Sequence, residues 1–157
     1  MRDGRSSKIP ELYVNVDESG TPGRKQTGKS HYIVAGCLVS DREGFEAATE
    51  LRHDDRELKF HDDKDIRKQI IEDALPYVMA VYYVEYCKSS SWHLDGSKND
   101  IVNLHKSLLQ SLARGISHDN PGTYIRFVLD HNNLIDDTEA RKIVTSQAGE
   151  NVFISAS

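Results

Sequence analysis

Four acidic residues stand where chemistry is conceivable: Asp17 and Glu18 after the β-prone run Leu12-Tyr13-Val14-Asn15-Val16, Glu57 in Glu57-Leu58-Lys59-Phe60, and Asp130 after Tyr124-Ile125-Arg126-Phe127-Val128-Leu129. Carboxylates at strand ends far apart in sequence can be gathered at one edge of an α/β sheet, where such folds bind their ligands. Gathered acids repel one another unless a divalent cation lies among them, and an oxygen-only donor set favours magnesium or manganese. Two such ions about 4 Å apart can activate a water and stabilise the leaving oxygen of a phosphodiester. Lys59 shares a face with Glu57 if that piece is extended, and could steady phosphate charge. His131, beside Asp130, is a candidate proton carrier. Each residue also has an ordinary structural reading. Asp-Glu-Ser-Gly is a common turn with side-chain-to-backbone hydrogen bonds, Glu57 and Lys59 are types often found as surface charges, and Asp130-His131-Asn132-Asn133 can simply begin a loop.

A second motif competes. Gly23-Arg24-Lys25-Gln26-Thr27-Gly28-Lys29-Ser30 matches the phosphate-loop pattern G-x-x-x-x-G-K-S, with Asp130 as a partner for magnesium. That chemistry needs a strand running straight into the loop and a helix starting at the Lys-Ser, so that backbone N–H groups surround the phosphates. Pro22 interrupts the entry, and Tyr32-Ile33-Val34-Ala35-Gly36-Cys37-Leu38-Val39 is a poor helix. The match reads as a basic hairpin tip, and a nucleoside triphosphatase using residues 23–30 is the third-ranked function. Cys37 and Cys87 lie in apolar, β-branched runs and read as small buried hydrophobes. His53, His61, His93, His105, His118 and His131 show no pairing with another His or Cys at zinc-site spacing, so no structural zinc is expected.

The elements that must position these groups can be read from periodicity and punctuation. Residues 12–16 read as strand one, closed by the turn-rich stretch 17–23, and residues 31–39 read as a second strand buried on both faces, forming a hairpin with the first. Ser40-Asp41 can cap a helix reaching about Leu51, with Phe45, Ala48 and Leu51 at helical spacing. A helix over residues 62–75 carries Ile66, Ile70 and Ile71 and stops at Pro76. Residues 78–86 read as a central strand, 88–98 as a serine-rich loop, and 99–116 as the strongest amphipathic helix, with Ile101, Leu104, Leu108, Leu109 and Leu112 on one stripe. Residues 124–130 form a strand ending in a carboxylate, Asp136 or Asp137 opens a helix to Ser146, and residues 151–155 lean to β. Strands separated by helices, with a hairpin in front, give an α/β domain with a mixed sheet flanked by helices.

The chain has 157 residues, 38% hydrophobic and 29% charged, which fits one globular domain over residues 1–157 and not a disordered chain. No apolar stretch approaches the roughly 20 residues of a membrane helix, and the polar start lacks a secretory signal, so the sequence reads as cytoplasmic. With 20 basic against 25 acidic side chains the net charge is -5. That excludes binding by blanket phosphate neutralisation but allows a nucleic-acid enzyme whose acidic centre is filled by metal.

Tyr13-Val14-Asn15-Val16-Asp17-Glu18-Ser19-Gly20, the apolar second strand, Glu57-Leu58-Lys59-Phe60 and Phe127-Val128-Leu129-Asp130 together resemble, in order and over most of the chain, the domain-of-unknown-function family 3800. The resemblance implies a ribonuclease H-like fold and a magnesium or manganese centre. Asp17 would be the central ligand and Glu57 and Asp130 further ligands, while Glu18 and Lys59 match family positions whose roles are less defined. It also implies a further helix bearing a Gln-x-x-Asp-like signature after residues 152–157, where this sequence stops. Gln147 and Glu150 precede that place and read as loop residues. The expectation is therefore a C-terminally truncated or naturally short domain without the fourth carboxylate. The leading function is a metal-dependent nuclease acting on RNA or DNA, and the alternative is an inactive module binding nucleic acid or protein, with a homodimer as an allowed assembly.

Overall fold

The first strand, β1 (Glu11–Gly20), alternates buried Leu12, Val14 and Val16 with the less buried Tyr13 and Asn15 and the exposed Asp17. That is the period-two pattern of a strand with one face against a core. The computed structural model describes residues 11–20, 31–50, 63–87, 98–129, 134–148 and 152–156, and places β1 at the centre of a five-stranded sheet ordered β3-β2-β1-β4-β5. β2 (His31–Val39) pairs antiparallel with β1, and β3 (Val78–Cys87) antiparallel with β2. β4 (Tyr124–Leu129) runs parallel to β1, and β5 (Val152–Ala156) parallel to β4. The fold is thus the expected mixed α/β sheet flanked by helices, and it opens on the expected antiparallel hairpin.

One face of the sheet is closed by α3 (Lys98–Asp119) and α4 (Asp137–Ala148). Val14, Val34, Leu38 and Phe127 meet Leu109, Leu112, Ile116 and Val144 there, all essentially shielded from water. Gly36, opposite Val16 in the hairpin, makes this approach close. A Cβ on it would lie 2.8 Å from Val14 Cγ1 and 3.3 Å from Ile116 Cδ1, so hydrogen is the substituent that fits beneath α3. The two helices are tied laterally by Lys106 with Glu139 and by Arg114 Nε donating to Gln147 Oε1 at 2.9 Å.

Acidic caps set the helix starts. Asp41 accepts from the Gly44 N–H (3.0 Å) ahead of α1 (Arg42–Thr49), and Asp63 accepts from Asp65 (2.8 Å) and Ile66 (3.2 Å) ahead of α2 (Lys64–Ala74). Asp136 accepts from Glu139 (2.7 Å) ahead of α4. Pro76 falls in a 3-10 turn, Leu75–Tyr77, that leads from α2 into β3.

Several expectations are corrected. β1 continues through the stretch read as a turn, because its register with β2 runs on from Asp17 opposite Ala35 to Gly20 opposite Tyr32. Gly20 permits that end: its φ is +94°, and a Cβ there would collide with the His31 carbonyl oxygen. β2 is fully buried on one face only, since Ile33, Ala35 and Cys37 are partly exposed on the other. Among the described residues β3 is a terminal strand and not a central one, because Val- and Tyr-rich composition marks a strand without marking its place in the sheet. α4 extends past Ser146, which puts Gln147 in a helix instead of a loop. The buried stripe of α3 runs from His105 to Ile116, with Ile101 and Leu104 less buried. Among the described residues, no helix is long and apolar enough to cross a membrane.

Replacing Gly36 with alanine should lower stability by about 1–3 kcal/mol through overpacking. A urea titration would show the midpoint falling at constant slope. An unchanged midpoint would mean that α3 yields freely at this contact.

Candidate functional site

Asp17 and Glu18 are consecutive, and strand alternation sends them to opposite faces. Asp17 belongs with Tyr13 and Asn15 on the face away from α3. It is exposed, and one carboxylate oxygen accepts from the Glu18 N–H at 2.8 Å. Glu18 points to the α3 side with Val14 and Val16. The adjacent acids that the sequence offers as one cluster therefore serve two surroundings.

On the Asp17 face the polar groups are spaced along β1. The Tyr13 ring is flanked by two guanidinium groups, Arg42 at 5.6 Å and Arg126 at 5.8 Å from its centroid. Arg42 Nε also meets Glu46 at 2.6 Å, and Arg126 meets Glu11 at 3.1 Å. Between Tyr13 and Asp17 lies Asn15, whose amide nitrogen is buried and has no hydrogen-bond partner among the described residues. An unmet buried donor costs about 1–3 kcal/mol, so this amide is suited to an acceptor that arrives from outside.

The other face holds a polar cluster that sequence reasoning missed. His105 of α3 is 2% exposed and is the buried charged or polar side chain among the described residues. Its Nδ1 lies 2.8 Å from the Tyr32 hydroxyl, and its Nε2 lies 3.8 Å from Glu18 Oε1. Burial, with a smaller contribution from the Glu18 charge, pushes the Tyr32 hydroxyl well above its ordinary pKa, so its proton stays and needs an acceptor. Burial holds His105 below its ordinary value of 6.5, so the ring is neutral at pH 7. These facts assign the tautomer: Tyr32 donates to Nδ1, and the Nε2–H faces the Glu18 carboxylate. One signal in the sequence pointed here, a histidine one residue after Leu104 inside the apolar stripe of the best helix.

Glu57, Lys59, Asp130 and His131, like the phosphate-loop match at residues 23–30, lie outside the described residues. The residues directly after Ser30 form strand β2, so a strand stands where phosphate-loop chemistry needs a helix N-terminus. Among the described residues, no three His, Cys, Asp or Glu side chains are grouped to hold a metal, and of the three expected ligands that set includes Asp17 alone. Cys37 and Cys87 form no disulfide among the described residues, and burial raises the Cys37 pKa, which makes it a weak nucleophile. No protein-family model matches the chain, and no curated protein matches it.

Two measurements probe the buried cluster. Tyr32→Phe leaves His105 Nδ1 without its donor and should cost about 1–3 kcal/mol. The unfolded chain takes up a proton at His105 near pH 6.5, before the folded one does. The folded state should therefore lose stability as pH falls through that value, until the buried ring is itself protonated. Urea midpoints taken between about pH 7.5 and 5.5 should show this slope, and His105→Gln should flatten it. An identical slope in that variant would assign the effect to other groups.

Proposed function

We propose that this chain is a metal-dependent phosphodiesterase acting on RNA or DNA. The observation that carries the reading is the parallel register of the central strands, in which Val16 pairs with Leu129. The residues that immediately precede Asp17 and Asp130 in sequence are thus neighbours across β1 and β4, and both pack toward the core. Two aspartates far apart in sequence come directly after that pair, as the chemistry of a shared cation requires. The order of the sheet, three antiparallel strands and then two parallel ones, accords with the ribonuclease H-like architecture that the sequence resemblance implies.

The donor chemistry suits a hard cation. Asp17, Glu57 and Asp130 would supply an all-oxygen set for magnesium or manganese, which when bound lowers the pKa of a water and offsets phosphate charge. The chain's own groups then bind and orient. Arg42 and Arg126, each paired with a glutamate, flank the Tyr13 ring on the Asp17 face, and the Asn15 amide offers a donor to a phosphate oxygen. Donors placed at one point of the surface serve a chain of net charge -5 better than its overall field would. Glu18, turned toward His105, supports β1 from the opposite side and is not a ligand in this reading.

The test is manganese-dependent cleavage of labelled single-stranded RNA and DNA. Asp17→Asn should reduce the rate at least about 100-fold while the thermal unfolding midpoint stays close to wild type. Glu18→Gln should have the smaller effect on cleavage. Equal cleavage by wild type and Asp17→Asn would sink the reading, as would nucleic-acid binding by the wild type with no cleavage at all.

A further inference from the structure

Asp17 is held by its own neighbour. Its Oδ1 accepts from the Glu18 N–H at 2.8 Å, so the direction of the carboxylate follows the setting of the peptide between residues 17 and 18. On one side that peptide is set by the ladder with β2, Asp17 opposite Ala35 and Glu18 opposite Val34. On the other side the described pairing with β4 ends at Val16, one residue before Asp17. A further hold comes from beneath the sheet. The Glu18 side chain passes to the α3 side, where its Oε1 lies 3.8 Å from Nε2 of the buried His105. Tyr32, on the same face of β2, fixes that ring: its hydroxyl lies 2.8 Å from Nδ1, and the two ring centroids are 6.1 Å apart. With Tyr32 donating to Nδ1, the ring proton is on Nε2 and faces the Glu18 carboxylate.

We propose that Tyr32 and His105 are positioning residues for the Asp17 carboxylate, acting through Glu18 from the opposite face of β1. Their role rests on Asp17 being a cation ligand, as proposed for this site. Two features favour positioning over packing alone. An apolar pair would fill the same space in a layer of leucine, isoleucine and valine without the cost of desolvating an imidazole and a hydroxyl. The polar groups also form a directed series, from the Tyr32 hydroxyl through the ring to Glu18, and from the Glu18 N–H to Asp17 Oδ1. Outer partners of this kind orient metal-ligating groups, and losing one costs about 10–100-fold in metal affinity. Tyr32 and His105 act one residue away from the ligand, so the lower end of that range applies.

The test compares the full-length wild type with a Tyr32→Phe, His105→Leu variant. This change removes both members of the hydrogen bond together, so the thermal unfolding midpoint should stay within a few degrees of wild type. Without metal, the temperature coefficient of the Glu18 amide proton shift should steepen as its bond to Asp17 loosens. Manganese affinity, read from the electron paramagnetic resonance of the free ion, should fall about tenfold, while Asp17→Asn abolishes binding. His105→Gln keeps an N–H for Glu18 and should bind manganese within about threefold of wild type. Should the double variant not fold, Tyr32→Phe alone carries the test, with an expected loss of about threefold from one weakened hydrogen bond. Equal manganese affinity in wild type and the double variant overturns the positioning role and leaves Asp17 as a ligand. An unchanged Glu18 amide coefficient also overturns it, as does a loss in His105→Gln as large as in the double variant. No manganese binding by the wild type fails the reading of Asp17 itself, and the positioning role with it.

Discussion

Everything in this molecule depends on β1 being paired on both sides, antiparallel to β2 and parallel to β4. A strand held along both edges cannot slip by one residue without turning Val14 and Val16 out to water and Asp17 into the core. Burial of those valines under α3 and the exposure of Asp17 are therefore one constraint seen from two faces. The same register sets Asp17 one position beyond the Val16–Leu129 pair. Gly36 adds the third dimension, because its missing Cβ lets α3 sit low enough for Ile116 to reach the sheet. Position along the chain, choice of face and helix height are all fixed by contacts within a few residues of the acidic pair.

Glu18, His105 and Tyr32 give the core side a polar centre inside an otherwise apolar layer. A histidine at this depth is tolerable when neutral and hydrogen-bonded, and both conditions hold here. The cluster joins β1, β2 and α3 through side chains, and it does so at the level where β1 leaves its described pairing with β4. It therefore resists rotation of α3 about its axis, which the surrounding leucines and isoleucine, being non-directional contacts, would permit more readily.

Much of the architecture was legible in the sequence for local reasons. The helix starts at Asp41, Asp63 and Asp136 are set by side-chain caps acting over three residues, and the hairpin by alternation plus a turn-rich segment. What the sequence did not show is non-local. Whether Asp17 ends a strand depends on how far β2 accompanies it, and the pairing continues to Gly20. Whether β3 is central depends on which strands flank it, and β-branched composition does not encode that. The separation of Asp17 from Glu18 was implicit in strand alternation, but it becomes visible only once the segment is known to be strand and not turn. His105 was hidden differently: its value lies in two partners 73 and 87 positions away, which a helical stripe cannot announce.

One face of the sheet connects β3 to the acidic site. Asp17 is opposite Ala35, which is opposite Tyr83, and Asn15 is opposite Cys37, which is opposite Val81. Two rows thus cross three strands on the face away from α3, each beginning at a polar residue of β1 and ending at an exposed apolar residue of β3. The acidic position of the central strand and the exposed apolar side chains of β3 therefore share one surface of the sheet, the one that α3 leaves uncovered.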